Sequence, residues 1–315
     1  MDKKYKGIVV PMVTPLTGDG TLDHSAVTRI VEHLAAHGAS PFVLGTTGEG
    51  VSLGQYARKQ VVEAVVRASD GKVQVYAGLR GHSVDDAVVE GDVFFDSGVD
   101  AVVATPPCYY PATQSQLADY YTQLADALPG PLVVYNIPAT TGVSIALETV
   151  DALADHQQIV GFKDSENNSE RVALAAGRWK DRPDFSYFLG WAAAAVPALS
   201  AGADGIVPSA GNLCPGWYRD LLVAVQAGDL PRAEHIQQQI QALSQHYQKG
   251  FTLGESLAAL KVMMSAFRLC GTVMAPPLQA LPAERAHRLI SAVKQSYREL
   301  EALNDINYTS TINQP

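Results

Sequence analysis

Residues 131–136 read PLVVYN, an apolar run with no polar residue on either alternate face until it closes on Tyr135 and Asn136. A sheet with one wet side would show alternation, so such a run suits a parallel strand covered on both faces. GIVV at 7–10 and DAVVA at 100–104 repeat the pattern. Outward from these, short runs rich in β-branched residues recur at 8–14, 41–45, 73–78, 101–105, 131–136, 158–163, 185–189 and 204–208. Between them, apolar residues fall at helical spacing over 25–36, 55–69, 84–95, 115–128 and 147–155. Repeated βα units predict an α/β fold, a closed (β/α)8 TIM barrel over residues 1–227, with a doubly wound open sheet as the alternative. After residue 208 only helical patterns remain, at 217–227, 230–247, 253–269 and 282–302. The first completes the barrel, and the others form a helical C-terminal region over 228–303. Residues 304–315 are polar and without periodicity, and are expected to be a disordered tail.

The 315 residues are 47% hydrophobic and 17% charged, the balance of a soluble globular chain with a sizeable core. A net charge of −9 leaves no basic footprint, which argues against nucleic acid or a membrane surface as the main partner. Small-molecule chemistry is the remaining expectation. The opening MDKKYKGIVVPMVTPL has too short an apolar run, broken by prolines, for a signal peptide or membrane span, so a cytoplasmic location is expected. Cys108, Cys214 and Cys270 lack the spacing of a zinc site or disulfide framework and read as reduced thiols.

In a barrel of this kind, reactive groups stand where strands pass into βα loops. The sixth run ends Gly161-Phe162-Lys163-Asp164-Ser165, and a lysine directly after apolar residues has two readings. It is either ion-paired to Asp164 or another carboxylate at the rim, or it is a buried amine. Burial strips an ammonium of proton affinity, and the freed amine attacks a ketone to form an imine. An imine conjugated to a carboxylate is an electron sink, through which carbon–carbon bonds break or form without a metal. The fifth run ends Val133-Val134-Tyr135-Asn136-Ile137-Pro138. Tyr135 is either half-buried packing with its hydroxyl tied to backbone or, on the strand beside that of Lys163, a phenol that ferries protons. The second run leads into Gly45-Thr46-Thr47-Gly48-Glu49-Gly50, whose hydroxyls and free amides can grip a carboxylate, although many such turns only join a strand to a helix. After the fourth run, Thr105-Pro106-Pro107-Cys108-Tyr109-Tyr110-Pro111 carries an aromatic pair suited to a subunit contact.

Taken in order, GTTGE (45–49), YNIP (135–138) with Thr141-Gly142 following, and GFKDS (161–165) resemble the dihydrodipicolinate synthase and N-acetylneuraminate lyase family. PMVTPLTGDGTLD (11–23) and PPCYYP (106–111) resemble its first loop and its aromatic turn, and the likeness runs from Gly7 to near Leu300. The resemblance implies a class I pyruvate-dependent aldolase. Lys163 falls on the Schiff-base lysine, Tyr135 on the proton-relay tyrosine, and Thr46 and Thr47 on the pair that binds the pyruvyl carboxylate. Tyr109 falls on a tyrosine lent by a neighbouring subunit, in a relay with Thr47 and Tyr135. It also implies no external cofactor and no metal, a 2-oxo acid as small-molecule partner, and a homo-oligomer, usually a tetramer built as a dimer of dimers.

The departures bear on substrate. Synthases of the family carry an arginine after the YNxP motif, where Pro138-Ala139-Thr140-Thr141-Gly142 has Thr140 and therefore no guanidinium fork for a second carboxylate. Neuraminate lyases carry Asp and Glu after the glycine of the seventh strand, where Gly190-Trp191-Ala192-Ala193 has alanines. The resemblance further places Gly190, Val207, Ser165 and Ser209 in the substrate pocket, with Thr140 beside its distal end. Ser165 and Ser209 would offer hydroxyls to a shorter polyhydroxylated chain, or else cap the next helices. Trp191 either walls the pocket or packs beneath the helical region. The expected reaction is reversible cleavage of a 2-keto-3-deoxy sugar acid to pyruvate and an aldehyde. The alternatives are a keto-deoxy acid dehydratase, synthase or neuraminate lyase activity, and, least expected, a non-catalytic 2-oxo acid binding protein.

Overall fold

The computed structural model describes residues 3–80 and 83–304, with 298–304 as backbone alone. Its strands are β1 (Gly7–Pro11), β2 (Ser40–Val43), β3 (Tyr76–Gly78), β4 (Ala101–Ala104), β5 (Leu132–Asn136), β6 (Ile159–Asp164), β7 (Ser186–Leu189) and β8 (Gly205–Ile206). They follow one another round a closed parallel barrel, sealed where Gly7 and Ile8 pair with Gly205 and Ile206. The open-sheet alternative falls with that seam. Strands β3 and β8 are shorter than their apolar runs, because the flanking residues leave the ladder to bend into the loops.

The helices are α1 (His24–Ala35), α2 (Gln55–Ser69), α3 (Val84–Asp96), α4 (Gln114–Ala127), α5 (Pro138–Thr141), α6 (Leu147–Leu153), α7 (Ser169–Ala176), α8 (Ala195–Ala201), α9 (Pro215–Gln226), α10 (Leu230–Gln248), α11 (Leu253–Ala266) and α12 (Ala283–Asn304). Several start where local chemistry demands it. Asp23 accepts from the Ala26 amide, while Thr113 with Gln116 and Thr252 with Glu255 close reciprocal capping boxes. Helices α5, α7 and α8 are absent from the sequence reading. The first is a single turn, and the others are short and alanine-rich, so they show little polar–apolar contrast. The tail expected at 304–315 begins inside α12, and residues 305–315 lie outside the described ones.

Two cores explain the continuous apolar runs. Val9, Phe42, Tyr76, Val103, Val133, Tyr135, Phe188 and Val207 fill the barrel interior, while Val10, Val43, Val102 and Val134 face the helices. Successive residues of one strand therefore serve opposite layers, and neither face can be polar. Edge-to-face rings stiffen the interior, with Phe42 and Tyr135 centroids 6.3 Å apart. At the opposite end of the barrel from the site, buried Lys3 donates to the carbonyls of Trp179 and Phe185 and to Asp204, each at 2.8 Å. Among the described residues, no helix is long and apolar enough to cross a membrane, and no cluster of three or more His, Cys, Asp or Glu could hold a metal ion.

Candidate active site

Strand register brings the two central groups together. Tyr135 on β5 and Lys163 on β6 are ladder partners, so their side chains enter the barrel side by side. The Lys163 Nζ lies 3.7 Å from the centre of the Tyr135 ring and 4.8 Å from that of Phe42. Both residues are buried, Lys163 with 5% of its surface exposed. Burial pulls the Lys163 ammonium below the ordinary lysine value, against the opposing pull of Tyr135 beside it. For Tyr135 burial works upward, but Lys163 and hydrogen bonds with Thr46, Lys163 and Ser165 hold the phenol below its usual range.

The ion-pair reading of Lys163 fails on strand geometry. Asp164, one residue on, points out of the barrel to Arg171 at 2.6 Å and accepts from Asn136 at 2.8 Å. Asn136 also donates to Glu166, itself bonded by Ser144, and its oxygen accepts from the Ile145 amide. This satisfied network fixes the ends of β5 and β6 behind the two reactive side chains. Asp164 entered the sequence reading only as a possible partner of Lys163, and Arg171, Glu166 and Ser144 not at all, because each looks like an ordinary loop polar residue there.

Thr46 and Thr47 stand on the loop after β2, and several elements hold that loop. Thr14 donates to the Gly48 carbonyl at 2.6 Å. Glu49, buried and in the left-handed region at φ 57°, pairs with Lys261 of α11 at 2.5 Å and accepts from the Ala275 amide at 2.7 Å. Arg58 of α2 donates to the carbonyls of Gly50 and Gly78 and to Glu90. Gly50 passes so close to the Leu44 carbonyl that a Cβ would overlap it. Such a backbone persists only where its surroundings over-determine it. The signal for these anchors was present: Arg58 sits on the apolar stripe with Val61, Val62 and Val65, and Lys261 interrupts the run of α11.

The other expected positions divide. Ser165 reaches Tyr135, and its amide donates to the Asn136 carbonyl at 2.8 Å. Gly190 donates to the Asp164 carbonyl at 2.6 Å, and a Cβ there would overlap the Ser165 hydroxyl, so only glycine leaves that hydroxyl its place. Val207 lines the barrel interior. Neither Ser165 nor Ser209 caps a helix: Asn168 caps α7, and Ser209 starts a short 3-10 turn without a side-chain cap. Ser209 instead lies 2.7 Å from the Tyr247 hydroxyl. Thr140 is exposed, with its hydroxyl turned back to Ile137. Trp191 is half-buried against the main core. The hydroxyl bonded to Tyr135 is that of Thr46, the first threonine of the pair, where the resemblance put Thr47 in the relay. Tyr109 and Tyr110 stand out from the chain, 80% and 77% exposed and packed edge-on at 4.9 Å. Within one chain Tyr109 does not join the Tyr135 cluster.

A family model described as the dihydrodipicolinate synthetase family matches residues 4–296. The chain is 31% identical over 291 residues to a 4-hydroxy-tetrahydrodipicolinate synthase of Alkalilimnicola ehrlichii, covering 92% of this chain and 98% of that one. It is 30% identical over 269 residues to an uncharacterized DapA-like lyase of Thermofilum pendens, covering 84% and 89%. Among solved structures, a dihydrodipicolinate synthase from Bacteroides thetaiotaomicron superposes with a TM-score of 0.87 at 31% identity, covering 94% of this chain and all of that one (100%). A prophage protein of the dihydrodipicolinic acid synthase family from E. coli K12, in complex with pyruvate, gives 0.87 at 26% identity, covering 93% and 99%. This chain therefore belongs to the dihydrodipicolinate synthetase family, whose members are carbon–carbon lyases that work through a lysine–pyruvate Schiff base without an external cofactor.

Proposed function

We propose that the protein reversibly cleaves a 2-keto-3-deoxy sugar acid with an uncharged distal end to pyruvate and an aldehyde. The observation that carries this reading is the buried Lys163 amine held against Tyr135, with no carboxylate in ion-pair reach among the described residues. Lys163 Nζ attacks C2 of the substrate, and the carbonyl oxygen leaves as water while Tyr135 supplies and recovers protons. Thr46 and Thr47 hold the carboxylate. With the imine formed, Tyr135 takes the proton of the C4 hydroxyl and the C3–C4 bond breaks, its electron pair moving into the imine as an enamine. The aldehyde departs, C3 is protonated, and water releases pyruvate from Lys163.

Residues 1–227 serve as the catalytic barrel in this reading, and 228–303 as the helical region beside the mouth. Gly190 and Val207 shape the pocket, Ser165 and Ser209 offer hydroxyls to the substrate chain, and Thr140 stands towards the distal end. Thr140 in place of an arginine supports an uncharged far end. The proposed assembly is a homotetramer built as a dimer of dimers, in which exposed Tyr109 enters a neighbouring subunit's site. The exposure of Tyr109 and Tyr110, packed against one another, supports a patch that a partner covers. A cytoplasmic setting accords with three free thiols.

Borohydride reduction with pyruvate tests the mechanism. A mass increase on the peptide carrying Lys163, lost in Lys163→Ala, is expected; no adduct ends the reading. Product analysis separates lyase from dehydratase, since a dioxo acid without pyruvate would sink the cleavage. Synthase activity is the second reading, favoured by the similarity to synthases such as that of A. ehrlichii. It predicts turnover of an aldehyde that bears a carboxylate in preference to glyceraldehyde.

Tyr135→Phe keeps the ring that packs on Phe42 but removes the proton carrier. Turnover should fall by about 10^2- to 10^4-fold, with an unchanged far-ultraviolet circular dichroism spectrum. Steady-state kinetics near the unsubstituted rate would remove Tyr135 from the proposed mechanism.

A further inference from the structure

A cavity of about 260 Å3 lies between the loop after β2 and the junction of α10 with α11. Thr46 and Thr47 form one end of it, so it abuts the chamber that holds Lys163 and Tyr135. Its lining is divided by chemistry. One wall is a line of hydroxyl and amide groups: Ser209 lies 2.7 Å from the Tyr247 hydroxyl, which accepts from the Gln248 side-chain amide at 3.2 Å. Burial pushes the Tyr247 phenol up to about 12, so this wall stays uncharged in the neutral range. The side formed by Phe251 and α11 is mainly apolar, with Phe251, Leu253, Leu257 and Leu260 interrupted by the hydroxyls of Thr252 and Ser256. Phe251 is fixed by the Arg285 guanidinium, 3.9 Å from its ring centre. No residue lining the cavity carries a charge, among those described.

A carboxylate or phosphate entering this space would lose its hydration with no cation to replace it. A purely apolar group would leave the hydroxyl wall without ligand partners. A carbon chain bearing hydroxyls on one edge and hydrogens on the other matches both walls. We propose that this cavity takes the part of the substrate beyond the bond that breaks, and that Ser209, Tyr247 and Gln248 read the hydroxyls of a neutral polyhydroxylated chain. The proposal rests on the lyase reading above and deepens it, by adding α10 to the strand-end serine in recognition of the chain. The absent acidic pair after Gly190 is thereby replaced by neutral groups from another part of the fold.

The test runs the reaction in the direction of synthesis, with pyruvate and either glyceraldehyde or propionaldehyde, which has the same carbon chain without the hydroxyls. The readout is the ratio of kcat/KM for the two acceptors in Gln248→Ala, Ser209→Ala and Tyr247→Phe. Gln248 is exposed, so its truncation leaves packing intact. Losing one hydrogen bond to a hydroxyl should lower the ratio by about tenfold in each variant, chiefly through the KM for glyceraldehyde. A ratio within about twofold of the unsubstituted protein in all three variants overturns the proposal, as does faster turnover of an aldehyde carrying a carboxylate. Borohydride trapping with pyruvate on the unsubstituted protein separates the two failures. No adduct removes the lyase reading itself, whereas an adduct with an unmoved ratio removes only the chain-binding role of this cavity.

Discussion

Lys163→Ala should lose turnover by about 10^5- to 10^6-fold, the scale of loss when an enzyme's nucleophile is deleted. The reason is chemical rather than structural. No other amine occupies this part of the barrel among the described residues, and Tyr135 left alone can move protons but cannot form the imine. Lys163→Arg should be equally inactive, because a guanidinium does not deprotonate in a protein and so cannot attack C2. The two variants separate charge from nucleophilicity. Lys163→Ala should not unfold the chain, since the amine has no buried carboxylate whose charge it compensates, whereas Lys163→Arg buries a charge it cannot shed and should lower stability. In the unsubstituted protein the attacking form is the neutral amine, so imine formation rises as pH rises through the Lys163 pKa. Burial lowers that pKa from the usual 10.5, and the ascending limb of the rate of imine formation should therefore lie below that value. Stopped-flow measurement of pyruvate imine formation across pH reports this limb. A midpoint at or above 10.5, or substantial turnover in Lys163→Arg, would show that the amine is not the reactive group.

The same burial explains what the sequence revealed and what it hid. Strand runs such as 131–136 were legible because a barrel strand is apolar on both sides, and no other common environment demands that of eight short segments. Lys163 was legible as a charge at the end of such a run, and strand adjacency alone placed Tyr135 beside it. The partner of Asp164 was not legible, since Arg171 is seven residues away across a loop and α7 was itself unrecognised. Helix α8 escaped because AVPALSA has no polar face to contrast with its apolar one. Tyr247 and Gln248 were hidden for another reason: they belong to α10, whose sequence shows only an amphipathic helix, and their relation to Ser209 exists only once the chain has closed.

Glu49 and Lys261 mark where stability and function meet. Lys261→Met should destabilise the fold by about 3–5 kcal/mol, because it strands the Glu49 carboxylate in a dry site with a single remaining hydrogen bond from the Ala275 amide. Domains are stable by about 5–15 kcal/mol in total, so the loss would be plain in the midpoint of urea unfolding. The double variant Glu49→Gln/Lys261→Met should recover most of it, since a neutral amide beside a thioether no longer buries an unpaired charge. That recovery distinguishes loss of the ion pair from a simple packing defect, which the second substitution would worsen. Function should not recover in parallel. Glu49 lies two residues from Thr47, in a left-handed conformation held by the pair with Lys261 and the Ala275 amide. Loosening it frees the loop that grips the carboxylate, so the double variant should keep a raised KM for pyruvate while kcat changes less. If Lys261→Met unfolds within about 1 kcal/mol of the unsubstituted protein, the pair is no anchor, because exposed pairs already contribute that much. If stability falls while the KM for pyruvate stays fixed, the pair holds the helices to the barrel without positioning Thr46 and Thr47.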